Sequence, residues 1–132
     1  RLALARAGIP YDEALVYEGD YSFACGAPAF EKLYAQGVTA ICCASDKMAV
    51  GVIHAAQAAG LSVPEDFSVT GYDNDSLCNS IYPGLTTLSQ DFFRIGQVAA
   101  TLMHCQLHGL PMGPVSIIPP LLVRSSTAEV KS

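Results

Sequence analysis

Apolar residues in this chain fall into short runs separated by turn-formers, and the runs alternate between strand-like and helix-like periods. Residues 39–44 form one continuous apolar run and 67–72 a short one rich in β-formers, the second entered from Val63-Pro64-Glu65-Asp66 and halted at Gly71-Tyr72-Asp73. Bounded runs of this kind read as buried strands. After the first of them, Ser45-Asp46 caps a predicted helix from Lys47 to about Ala59, where Met48, Val52, Ala56 and Ala59 recur at helical spacing before Gly60. Upstream, 15–18 reads as a short strand, and Ser22 opens a helix reaching Gln36 with Gly37 as its stop. Pro28 lacks a backbone donor and should delay that helix's start.

Downstream, 83–88 reads as an extended link or strand. Gln90-Asp91 opens another helix, with Phe92, Ile95, Ala99, Leu102 and Met103 on or near one face and Gly109 at its end. Two further strand-like pieces, 115–118 and 121–124, are separated by Pro119-Pro120, a pair that forces a change of sheet or direction. The opening residues 1–8 resemble the second half of a helix with no capping residue in front, so the chain is expected to begin inside a longer protein. Strand, helix, strand, helix, strand with short turns predicts an α/β fold, a parallel sheet covered by helices in three αβα layers. In such sheets the ligand crevice lies outside the carboxyl ends of the strands, which makes Asp73 a candidate ligand-facing acid.

Composition narrows the function. With 132 residues, 51% of them apolar, the chain can bury a core. A formal charge of −5 with 7 Lys plus Arg leaves no basic stripe to track phosphates, so these residues are not expected to hold nucleic acid themselves. No apolar stretch approaches the roughly 20 residues of a membrane span. Cys25, Cys42, Cys43, Cys78 and Cys105 show no C-x-x-C spacing, which argues against a disulfide framework and for a reducing compartment. Cys42 and Cys43 are expected as small buried hydrophobes on opposite strand faces. His104 and His108 have the i, i+4 spacing of a helical metal pair, but no acid completes an H-E-x-x-H set and helix-end histidines also suit the dipole, so no metal is expected. With no nucleophile beside a base and no glycine-rich phosphate loop, neither catalysis nor a cofactor is expected.

Several groups together resemble the C-terminal half of a LacI/GalR-type bacterial transcriptional regulator: Ala44-Ser45-Asp46-Lys47-Met48-Ala49-Val50-Gly51, the run 63–69, Gly71-Tyr72-Asp73, Leu85-Thr86-Thr87, Gln90-Asp91-Phe92 and Arg124-Ser125-Ser126-Thr127. No single group is specific, but their order and gaps are. The resemblance implies a periplasmic-binding-protein-like (type I) effector domain, truncated, holding mostly the C-terminal lobe. Residues 1–82 would form that lobe, 85–118 the crossover with a helix and strand of the N-terminal lobe, and 119–128 the return. It further implies a cytoplasmic homodimer that senses a sugar, nucleobase or related metabolite and meets operator DNA through an absent helix-turn-helix head.

Each candidate site residue keeps two readings. Asp73 either accepts hydrogen bonds from ligand hydroxyls or ring nitrogens or satisfies its own turn. Ser45 and Asp46 either cap the helix or meet the ligand, and many members resembling this pattern carry Asn where Ser45 stands. Tyr21 either stacks on a ring or packs at the surface, and Gln90 and Phe92 either close the crevice or, for Phe92, join the core. Val50, His54 and Tyr82 are implied dimer contacts that would otherwise face their own core. The rivals are a periplasmic sugar-binding protein of a transporter and a doubly wound enzyme. A missing half-clamp would leave weak ligand affinity and exposed edges prone to strand exchange.

Overall fold

The computed structural model describes residues 1–129. A four-stranded sheet runs in the order β1 (Ala40–Cys42), β2 (Ser68–Asp73), β3 (Thr86–Ser89), β4 (Leu121–Leu122). The first three strands are parallel, and β4 returns antiparallel to β3, pairing Thr87 with Leu122 and Leu88 with Leu121. The sheet is therefore mixed at one edge, and Pro119-Pro120 marks the reversal.

Helices α2 (Gly26–Tyr34) and α3 (Asp46–Ala58) cover one face of the sheet. Phe30, Leu33, Ile41, Ala49, Val52, Ile53, Ala56, Phe67, Val69 and Leu85 form the core between them. Helix α2 begins only at Gly26, so Pro28 falls in its first turn, where its missing donor costs nothing. Ser22 does not occupy the N-cap position; its Oγ accepts from Cys25 N in the turn ahead. Ser45 caps α3 through Met48 N at 3.3 Å. Gly37 and Gly60 take the left-handed conformation that ends each helix, at φ 73° and 79°. On α3 the expected stripe holds for Met48, Val52 and Ala56, whereas Ala59 is exposed as the C-cap and Ala49 and Ile53 widen the buried face.

Two expected strands do not form. Leu15 instead closes a short 3-10 turn (Glu13–Leu15), and 16–18 continue without a ladder, with Lys32 Nζ donating to Val16 O at 2.8 Å. Residues 115–118 likewise find no partner among the described residues. A strand exists only where a neighbour supplies hydrogen bonds, and propensity alone does not create one. Cys42 is also not the buried hydrophobe expected, because alternation along β1 turns it to the face that α2 and α3 leave open. Cys43 is half-buried and its thiol is pushed up to about 12, chiefly by burial. Helix α4 (Phe92–Leu107) buries none of its residues, and α1 (Leu2–Arg6) buries none either. No described helix is long and apolar enough to cross a membrane.

The helix pair touches backbone to backbone. A β-carbon at Gly51 would run into Phe23 O and Gly26 Cα, and one at Gly26 would run into the Gly51–Val52 peptide. Gly51→Ala should therefore destabilise the fold by about 1–3 kcal/mol through overpacking. Gly84→Ala, whose new carbon would meet nothing closer than Ser125 Oγ at 3.5 Å, should leave stability nearly unchanged. Urea unfolding of both variants checks the pair. The cysteines give a second test, since thiolate is the reactive form. In the folded protein at pH 8, mass-mapped alkylation should modify exposed Cys42 well before Cys43 or the fully buried Cys78, and equal rates would contradict this packing.

Candidate functional site

The C-terminal ends of the parallel strands open onto a cleft of about 320 Å³ lined by Tyr21, Ser45, Asp46, Lys47, Asp73, Asn74, Asp75 and Phe92. Five of the sequence candidates, Tyr21, Ser45, Asp46, Asp73 and Phe92, share this wall. Gln90 stands behind it, its Nε2 donating to Asp73 Oδ1 at 2.7 Å. Lys47, Asn74 and Asp75 line the cleft without having been singled out in the sequence, although their adjacency to Asp46 and Asp73 was a usable signal.

Asp46 holds the site together. It is 1% exposed, and its Oδ1 accepts from Thr87 Oγ1 at 2.6 Å on β3. Its Oδ2 accepts from Asp75 N at 2.7 Å, in the loop after β2. Gly71 lets this carboxylate lie against β2, because a β-carbon there would strike Asp46 Oδ1 and crowd Leu85. The first residue of α3 thus ties together both neighbouring strands and the site loop. Cys78, fully buried nearby, has its thiol pushed up to about 12 by burial and then by the Asp46 carboxylate. Since both Asp46 oxygens already accept protein donors, its role in the site is to hold the loop, while Ser45 acts as the cap.

Loop geometry places Asp73. Among the described residues, the non-glycine residues with positive φ are Tyr21 at 64°, Asp73 at 112° and Asn74 at 61°, and every one of them lines the cleft. L-residues adopt such angles only where the surroundings enforce them. Here Asn74 Nδ2 donates to Ser89 Oγ at 3.1 Å, and Arg124 Nη2 donates to Asn74 Oδ1 at 2.8 Å. Asp75 Oδ1 accepts from Leu77 N and Ser76 Oγ, and these bonds hold its carboxyl below the usual carboxylate range. Asp20, beside Tyr21, is lowered as well, chiefly by Ser22. Asp73 keeps one oxygen, Oδ2, with no hydrogen bond among the described residues, while Tyr21 and Phe92 present rings 65% and 63% exposed. An acceptor sharing a cleft with two aromatic side chains suits a small ring compound carrying hydroxyl or N–H donors.

The proposed dimer residues lie elsewhere on α3 and the following loop. Val50 is half-buried against the core, His54 is exposed with its ring 5.7 Å from that of Phe23, and Tyr82 is 86% exposed. Gln57 Nε2 donates to Tyr82 O at 2.9 Å, which fixes that loop beside the helix. Among the described residues no group of three or more His, Cys, Asp or Glu converges on a metal position.

Comparison with known proteins matches residues 1–127 to the periplasmic binding protein-like domain. The HTH-type transcriptional repressor CytR of Escherichia coli K12 is 39% identical over 129 residues, an alignment covering 95% of this chain and 38% of the repressor. A solved complex of the transcriptional regulator CelR with cellobiose superimposes at TM-score 0.81 with 35% identity, covering 96% of this chain and 40% of that one. The lac repressor dimer bound to operator and an anti-inducer superimposes at TM-score 0.82 with 30% identity, covering 96% and 44% respectively. The chain thus spans less than half of these relatives, and all three are transcriptional regulators rather than transporter components or enzymes. It belongs to the LacI/GalR family of transcriptional regulators, within their periplasmic binding protein-like domain.

Proposed function

We propose that this chain is the greater part of the effector-sensing lobe of a bacterial transcriptional repressor, binding a small neutral sugar, nucleoside or related ring metabolite at Asp73. The observation that carries the reading is the cleft itself, which gathers the carboxylate of Asp73, one oxygen of which has no hydrogen bond among the described residues, with the exposed side chains of Tyr21 and Phe92. Its volume of about 320 Å³ sits at the low end of the roughly 300–1,000 Å³ typical of small-molecule sites. The carboxylates of Asp73 and Asp75 disfavour an anionic ligand, with Lys47 the one basic side chain on the wall among the described residues. A cellobiose-bound relative supports a carbohydrate-sized occupant.

In this reading residues 1–82 form the sensing lobe, 85–118 cross to a second lobe, and 119–128 return. Helix α4, which buries none of its residues, and the antiparallel β4 support that division. Gln90 couples the two parts, because the residue preceding the α4 cap is bonded to the ligand-facing acid through both its amide N–H (3.4 Å to Asp73 O) and its side chain. Operator contact belongs to a segment outside this chain, the site of action is the cytoplasm, and neither catalysis nor a cofactor is involved. Dimerisation uses the α3 face with Val50 and His54 together with Tyr82, a reading supported by the dimeric lac repressor.

Two measurements test this. Calorimetric titration of the full-length protein with a sugar and nucleoside panel should find a ligand whose affinity falls in Asp73→Ala by on the order of ten- to a hundredfold, the loss of a hydrogen bond to a charged group at about 1.5–3 kcal/mol. Unchanged affinity removes Asp73 from the site. Tyr82→Arg should shift the full-length protein from dimer toward monomer in sedimentation velocity, because an isologous interface carries the change twice and each copy would bury an unpaired cation.

A further inference from the structure

From Ile95 to Val123 the chain carries no Asp, Glu, Lys or Arg, and its titratable side chains are His104, Cys105 and His108. The two histidines lie one turn apart near the end of α4, exposed, with ring centroids 4.4 Å apart and planes at 50°. Neither imidazole hydrogen-bonds to another described group, so both rings keep a nitrogen lone pair to offer. Two nitrogens on one ion can be no farther apart than about 4 Å, twice a metal–imidazole bond of about 2.0–2.1 Å, and rings this close reach that separation by small side-chain rotations. The helix C-terminus adds the negative end of its dipole, and no basic side chain lies along the segment to oppose a cation.

We propose that His104 and His108 form a bidentate site for a borderline divalent first-row ion such as nickel or zinc, independent of the effector cleft. With no third protein ligand converging among the described residues, the remaining positions go to water or to a donor from another molecule. The ion staples the final turn of α4 by bridging residues i and i+4.

The test is calorimetric titration of the full-length protein with nickel chloride, repeated with zinc chloride. His104→Ala and His108→Ala should each lower nickel affinity on the order of a hundredfold, because chelation makes the second contact intramolecular. The double variant should be little worse than either single one. His54→Ala, on another helix, and Cys105→Ser should leave the affinity within about twofold. Binding that survives in the double variant, or that disappears with Cys105→Ser, would overturn the proposal, as would a loss confined to one histidine.

Discussion

The fold around the cleft depends on one buried carboxylate. Removing Asp46 from water is costly unless each oxygen is supplied with donors, and the chain supplies them from a β3 hydroxyl and a loop amide. Those donors are also the two elements that must be held fixed for the strand ends to form a wall. Solvating the acid and positioning the site are therefore one arrangement, and Gly71 is the steric condition for both, since the carboxylate lies where a side chain on β2 would otherwise project. The α3 N-terminus contributes its own field to the same charge.

Strain gathers where this arrangement ends. Asp73 and Asn74 follow one another at positive φ, and the contacts that hold them come from Ser89, Gln90 and Arg124, all distant in sequence. A loop relaxed on its own would give an aspartate free to satisfy its own turn. Here the backbone is committed elsewhere, and one carboxylate oxygen is left without a hydrogen bond among the described residues. Tyr21 lines the same cleft with the same unfavourable backbone sign, so the surroundings fix the backbone at all three positions.

Much of this was legible in the sequence, because punctuation is local. Ser45, Gly37, Gly60 and Gly109 end or begin elements through their own backbone preferences, and Asp73 followed from a strand ending at Gly71-Tyr72. What could not be read was whatever depends on a distant partner. The role of Asp46 rests on Thr87, 41 positions away, and residues 15–18 and 115–118 have strand-like composition but no pairing neighbour among the described residues. Cys42 was misplaced for the same reason, since which face of β1 is covered depends on where α2 and α3 pack. The Arg124-Ser125-Ser126-Thr127 group was recognisable as a family resemblance, yet nothing local announced that Arg124 braces Asn74 and Leu85 O.

Ser126 gives that last group a further meaning. Its hydroxyl donates to Val69 O at 2.6 Å and accepts from Thr86 N at 2.8 Å, while its carbonyl accepts from Val69 N, so it fills the seam where β2 and β3 begin to diverge. Val69 lies 57 positions earlier in the chain. On a ribosome, where the polypeptide emerges from its N-terminal end, β2 and β3 are both available long before the residue that joins their ends. The helix pair and its apolar core can assemble during synthesis, but the central seam of the sheet stays unfinished until nearly the last residue of this segment has left the exit tunnel. Completion of the loop bearing Asp73 is in that sense a late event in the life of the nascent chain, because Arg124, which braces that loop through Asn74, arrives with the same closing segment.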